Sequence, residues 1–318
     1  MECLKTFDNH LIPIIVTEPF LKGCSEDYGY FAEAGWVLPY YRKRKSIFSY
    51  IRFVTGVIKV EEEVREDEAA FLNHLVEYVK GNKMADMIIA PHTTAVFHAI
   101  PEKSVACEFG SYIINLTKSE DDLFAAVHSK HRNVIRKAEK DGVTVTNAEE
   151  YKEACKNLVN ETAVRQHINV ITEDSFNEMK CNPNVDFWVA VYNGEVVGAS
   201  ILEWSQYSSY YIYGGSAEHT HGGAMNLLHW EAIKKMKERG VLRYDFVGAR
   251  IDPKPGSKQE GIQRFKARFG GELDKGFMWK YSFNPIKTAI YYFYIRLNGL
   301  LHHTYTKDII DQENERDK

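Results

Sequence analysis

The run Asp186-Phe-Trp-Val-Ala-Val-Tyr192, the pair Asn193-Gly194 and the run Val196-Val-Gly-Ala-Ser-Ile-Leu-Glu-Trp204 decide the fold. Two apolar segments rich in aromatic and β-branched residues flank Asn-Gly, which tolerates the positive φ angles of a two-residue hairpin turn. Residues 209–213 supply a third strand, so the stretch reads as an antiparallel meander. A Gly-rich loop over residues 214–223 then leads into a helix over 224–239, which Gly240 ends. Residues 242–247 read as a strand, 260–269 as a short helix and 272–282 as a final strand. Ahead of the meander, 151–162 is helical. The order is α/β, with an antiparallel start and a later crossover.

Working toward the N-terminus, residues 119–142 carry a strong helical pattern. Leu123, Phe124, Val127, His131, Val134, Ile135 and Ala138 share one arc at about 100° per residue. Ser119 and Asp122 resemble a capping box, and Gly142 marks the end. Arg132, Arg136 and Lys140 form a basic stripe on the same helix, either a solvated face or a contact for an anionic substrate. Residues 66–79 have helical spacing, while 87–90 and 112–116 are short apolar strands. The aromatic run 36–41 flows into Arg42-Lys43-Arg44-Lys45 and on to Val60, which reads as two or three strands around a basic turn.

The 318 residues are 44% hydrophobic, 26% charged and 13% aromatic, a globular composition long enough for two domains. With 40 basic and 44 acidic residues the net charge is −4, so bulk charge does not suit DNA binding. The N-terminus lacks the basic-then-apolar run of a signal peptide, and no stretch approaches the ~18 apolar residues of a membrane span. Cys3, Cys24, Cys107, Cys155 and Cys181 are odd in number and scattered, which reads as reduced thiols in a cytoplasmic protein.

Lys266 stands out on chemical grounds. On a helix it projects into the arc of Ile262, Phe265 and Phe269, where a cation must snorkel or meet an anion. Asp245, beside Tyr244, lies in the strand over 242–247 and is either a general base or a hydrogen-bonded core group. Gly222, Gly223 and Ala224 precede a helix N-terminus, where backbone amides can cradle a pyrophosphate; turn flexibility accounts for the glycines equally well. His219 and His221 lack a third partner at metal-ligand spacing, so no metal is expected. His131 and the pair His302-His303 read as packed or exposed histidines. The run 290–301 reads as a helix whose aromatic residues pack in the core, the lesser alternative being contact with a membrane surface. The last ten residues read as a solvated acidic tail.

Four stretches together resemble the Fem (FemABX-like) family of tandem-GNAT aminoacyltransferases. They are Leu116–Leu123 with His131–Val143, Tyr211–Gly215 with Leu227–Ile233, Gly240–Gly248 containing Tyr244-Asp-Phe246, and Gly261–Gly271 containing Phe265-Lys266. The resemblance covers more than half of the chain. Phe53-Val-Thr-Gly-Val57 stands where the family has a P-R-G-P turn, and the family's long helical hairpin is missing. The resemblance implies an α/β (α+β) fold of two GNAT-like modules. The first is expected over residues 1–141, ending in the basic amphipathic helix. The second is expected over 142–318, with a C-terminal helix and an acidic tail. It implies transfer of an aminoacyl group from aminoacyl-tRNA onto an amine of a cell-wall (peptidoglycan) precursor. The alternative is acyl-CoA-dependent N-acylation of an amino sugar or another small amine. Either donor is a co-substrate, and no cofactor is expected. Lys266 would stabilise charge on the transferring carbonyl, with Asp245 as the second catalytic candidate. Phe265, Tyr213, Arg132 and Arg136 would bind substrate, and Gly222, Gly223 and Ala224 the donor.

Overall fold

The computed structural model describes residues 1–7, 12–60, 67–302 and 307–316. The first part of the chain contributes β1 (Glu2–Leu4), α1 (Glu18–Cys24), β2 (Tyr28–Glu33), β3 (Trp36–Lys45), β4 (Phe48–Phe53), β5 (Ile58–Lys59), α2 (Glu68–Gly81), β6 (Met87–Ile88) and β7 (Val105–Asn115). Next come α3 (Glu120–Ala126), α4 (Ser129–Lys140), β8 (Thr144–Thr146), α5 (Lys152–Arg165) and α6 (Glu173–Cys181). The remainder is β9 (Val185–Tyr192), β10 (Glu195–Trp204), β11 (Ser209–Ser216), α7 (Ala224–Glu238), β12 (Arg243–Asp245), α8 (Lys258–Ala267), β13 (Glu272–Ser282), α9 (Pro285–His302) and α10 (Ile309–Arg316).

The expected meander is present. Strand β10 pairs antiparallel with β9 and β11, and Asn193 (φ 52°) and Gly194 (φ 81°) make the turn. Helix α7 carries the crossover, so β11 and β12 run parallel. Among the described residues all strands join one sheet in the order β1-β2-β3-β4-β6-β13-β7-β12-β11-β10-β9-β8, with β5 added beside β3.

Two strands cross the middle of the chain. Strand β7 precedes Gly142, yet it lies between β12 and β13. Strand β13, near the other end, pairs with β6 as well. Its Trp279 is buried within 5.4 Å of both the Phe53 and Phe97 rings, in the core formed by α2 and the N-terminal strands. The second core joins Val127, Ile135 and Ala138 to Leu227, Leu228 and Ile233 of α7.

Residues 119–142 form two helices and not one. Val127 is extended (ψ 131°), and His128 donates its N–H to the Arg268 carbonyl at 2.8 Å and caps α4 with its ring. That long-range bond leaves no sequence period behind. The C-terminus also departs from expectation. Residues 309–316 form α10, which buries Ile310 and Glu313, and Glu313 pairs with Arg250 at 2.9 Å. Of the pair His302-His303, His303 lies outside the described residues.

Candidate active site

Strand β12 ends at Asp245, and the chain enters a turn where Val247 (φ 49°) and Gly248 (φ 68°) are both left-handed. Glycine takes that conformation freely, whereas a β-branched valine there is strained and needs its surroundings to hold it. Asp245 and Lys266 do so. The Asp245 carboxylate accepts the Val247 N–H at 2.7 Å and the Ser111 hydroxyl. Lys266 Nζ donates to the Val247 carbonyl and, at 2.8 Å, to the Gly248 carbonyl.

Helix α8 presents this lysine. Ser257 accepts the Glu260 N–H, and the Glu260 carboxylate accepts the Gly256 N–H at 2.7 Å, a reciprocal cap that fixes the start of the helix. Gln263 and Lys266, three residues apart, then turn inward. They and Ile262 and Phe265 line a cavity of about 770 Å³, together with β11, the start of α7 and the turn after β12.

Lys266 is only 8% exposed. Burial pulls its pKa down to about 8, against the attraction of Asp245. Burial likewise pushes the Asp245 carboxyl up to about 6, opposed by Ser111, the Val247 amide and Lys266. A protonated lysine has three N–H donors; two are given to carbonyls, which leaves one for a group in the cavity. In a site this dry, a fixed donor can stabilise charge developing on an attacked carbonyl.

Phe265 forms part of the wall and lies 5.4 Å from the His131 ring and 5.6 Å from the His229 ring. His229 is fully buried against the Tyr244 hydroxyl (2.8 Å), and burial lowers its pKa to about 3, so it stays neutral. Sequence reading passed over His229, Ser111, Asn226 and Gln263. Asn226 and Gln263 line the cavity and each keeps one buried amide atom without a hydrogen-bond partner. Their polar character on otherwise apolar helix faces was the available signal.

Several expected site residues lie elsewhere. Asp245 is not on the cavity wall; it stands behind Val247 and positions the turn. Tyr213 is 37% exposed and outside the cavity, whereas Tyr211 lines it. The cause is a β-bulge, with Ile201 opposite Tyr213 but Leu202 opposite Tyr211, which breaks the two-residue alternation. Arg132 gives its guanidinium to the Ala125 carbonyl (2.7 Å) and the Val127 carbonyl, closing the end of α3. Arg136 stacks on Phe124 at 5.2 Å. Neither arginine reaches the cavity.

The loop before α7 is also partly committed. The Gly223 N–H goes to His221 Nδ1 (3.2 Å) and the Ala224 N–H to the His221 carbonyl (3.0 Å). Because Nδ1 accepts, the proton of His221 sits on Nε2, which donates to Asp141 at 2.8 Å. Gly223 further packs against α4, where a Cβ would meet the Val134 carbonyl at 2.5 Å. Only Gly222 of the three lines the cavity, joined there by Met225 and Asn226.

A family described as an acetyltransferase (GNAT) domain matches residues 125–266. No curated protein matches the sequence. Among solved structures, a crystal structure of FemX aligns with a TM-score of 0.65 at 14% identity, covering 91% of this chain and 99% of that one. The C-terminal domain of a putative lysylphosphatidylglycerol synthetase from Agrobacterium fabrum aligns at 0.50 and 12% identity, covering 83% and 86%. A conserved protein of unknown function from Bacteroides thetaiotaomicron aligns at 0.50 and 12%, covering 80% and 86%. The chain has a FemX-like α/β fold, and the match of residues 125–266 to an acetyltransferase (GNAT) domain marks it as an acyltransferase.

Proposed function

We propose that this acyltransferase of FemX-like fold moves an aminoacyl group from aminoacyl-tRNA onto an amine of a cell-wall precursor. The observation that carries the reading is Lys266, buried at the cavity wall with one N–H uncommitted. As the amine attacks, the acyl carbonyl oxygen gains charge that the lysine meets at short range. The unpartnered amide atoms, Asn226 Nδ2 and Gln263 Oε1, provide polar anchors for the substrate beside it. Asp245 acts through Val247: it holds the carbonyls that aim Lys266, and so is a positioning residue.

The choice of donor rests on the loop before α7. In an acyl-CoA enzyme its amides would grip pyrophosphate, but those of Gly223 and Ala224 are given to His221. FemX-like structure and the lysyl group named in the A. fabrum protein agree with an aminoacyl donor. The match to an acetyltransferase domain favours a second reading, an acyl-CoA donor and an amino sugar or other small amine as acceptor.

Incubation of the purified protein with radiolabelled aminoacyl-tRNA or acyl-CoA, scoring transfer to muramyl-peptide and amino-sugar acceptors, separates the two. Label transferred from aminoacyl-tRNA supports the first reading; transfer from acyl-CoA alone replaces it with the second.

A further inference from the structure

Helix α9 has one face in the protein and one in solvent. Tyr291 is buried, its ring 5.7 Å from Phe48 and 5.8 Å from Tyr50 on β4, and this contact seats the helix against the N-terminal strands. On the other side Ile286, Ile290, Phe293, Tyr294, Leu297, Leu300 and Leu301 are all exposed, from 39% for Tyr294 to 75% for Ile286. At about 100° per residue these positions fall within one arc of roughly 120°. The core contact expected for this run therefore accounts for only one of its faces. Contiguous apolar surface, unlike singly scattered apolar residues, marks a site of contact with a partner or a membrane.

The charged side chains of α9 itself are all basic. Across its 18 residues α9 contains no aspartate or glutamate, while Lys287 and Arg296 stand at opposite edges of the stripe. A second element adds to it. The tip of the β3–β4 hairpin carries Lys43, Arg44 and Lys45, all exposed, and Lys45 Nζ lies 5.2 Å from the Tyr294 ring. None of these three makes an ion pair among the described residues. Ile47, beside them, is 61% exposed. Among the nearby carboxylates, Asp27 is paired with Arg42 (2.6 Å) and Asp86 with Lys287 (2.9 Å), Asp308 and Asp311 share Lys280 (2.8 and 2.6 Å), and the exposed Glu26 beside the tip is one acid against the three bases.

We infer that α9 and the β3–β4 hairpin tip together form a docking surface for a lipid bilayer bearing anionic headgroups. The apolar stripe enters the boundary between headgroups and acyl chains, with the helix lying in the membrane plane. Lys43, Arg44 and Lys45 meet the headgroup charge beside it. A protein partner with an apolar groove would be served by the stripe, but not by a cationic tip with an exposed isoleucine at its apex. Among the described residues no helix is long and apolar enough to cross a membrane, so the contact is peripheral. The inference does not depend on which acyl donor or acceptor the cavity takes.

Sedimentation of the 318-residue chain with phosphatidylcholine vesicles, with and without phosphatidylglycerol, tests it. Binding should require phosphatidylglycerol and weaken as salt rises. Each basic residue at the surface is worth about fivefold in affinity, so replacing Lys43, Arg44 and Lys45 by Glu should lower binding by at least about a hundredfold. Phe293→Glu with Leu300→Glu should abolish it while leaving thermal unfolding unchanged, since both side chains are already in solvent. No binding to phosphatidylglycerol vesicles, or equal binding by the wild type and both variants, would overturn the proposal. So would a protein that ignores vesicles but self-associates through the stripe, as ultracentrifugation of the Phe293→Glu/Leu300→Glu variant would reveal.

Discussion

Asp245 and Lys266 hold one residue between them. The carboxylate takes the N–H of Val247 and the ammonium takes its carbonyl, fixing a valine in a left-handed conformation at the rim of the cavity. The buried cation is therefore anchored to backbone and its direction is set. Four expectations follow from this arrangement and from the residues around it.

Lys266→Met keeps most of the side chain's apolar length and removes the charge. Turnover should fall by about 10²–10³, the usual cost of losing one oxyanion donor, with acceptor KM changed much less. The sequence alone suggests a cation whose removal leaves stability unchanged or improved. The structure reverses that sign, because the Val247 and Gly248 carbonyls lose their partner. We expect a loss of about 1–3 kcal/mol in urea unfolding. Near-normal turnover in a folded variant would remove Lys266 from the chemistry.

The pH dependence follows from the same lysine. Its pKa lies near 8 in the folded state against 10.5 for an ordinary lysine, so the folded protein holds this proton less tightly than the unfolded chain. Below about pH 8 both states are protonated and the penalty for the buried charge is constant. Between about 8 and 10.5 the unfolded chain binds more protons, so this group makes stability rise with pH. Activity should move the other way, falling through about pH 8 as the donor is lost. The limb in log kcat should be absent from the residual activity of Lys266→Met; a limb that persists there belongs to another group.

Asp245→Asn tests positioning against catalysis. The amide still offers one oxygen to the Val247 N–H but weakens the charge-assisted bonds and removes the attraction that keeps Lys266 protonated. The descending pH limb should shift to lower pH, with a smaller drop in kcat than for Lys266→Met. A variant with no activity at any pH, yet normally folded, would mean that Asp245 takes part directly.

Two glycines side by side should behave oppositely. Gly223→Ala puts a Cβ 2.5 Å from the Val134 carbonyl and 3.0 Å from Ala138, forcing α4 and α7 apart. It should cost about 1–3 kcal/mol, read as a fall in Tm. Gly222→Ala meets nothing within 4 Å and should leave Tm nearly unchanged. If donor binding uses this loop, only the second substitution changes donor KM without changing stability.

The order of elements was readable because each long element carries its own period. The meander, α7, α8 and β13 announce themselves through alternation, arcs and glycine stops. What escaped was set at a distance. Helix α6 buries only Phe176, with Met179 half-buried one turn on, and two apolar positions in nine make no clear period. The break between α3 and α4 depends on a bond from His128 to Arg268. Lys266 was legible as a cation among apolar neighbours, but its carbonyl partners come from 18 and 19 residues earlier. A one-residue bulge takes Tyr213 out of the cavity, and a guanidinium that closes a helix end, as that of Arg132 does, looks the same in sequence as one that meets substrate.

The crossing of β7 and β13 bears on how the chain comes into being. When synthesis has passed Gly142, the N-terminal strands still lack the neighbour of β6, and the Trp279 that fills their core has not been made. Strand β7 must meanwhile wait, unpaired on both edges, for β12 and β13 to emerge from the ribosome. Neither portion can finish alone, so folding is a late, joint event. The exposed β7 edge is the stretch on which a nascent or truncated chain is most open to aggregation.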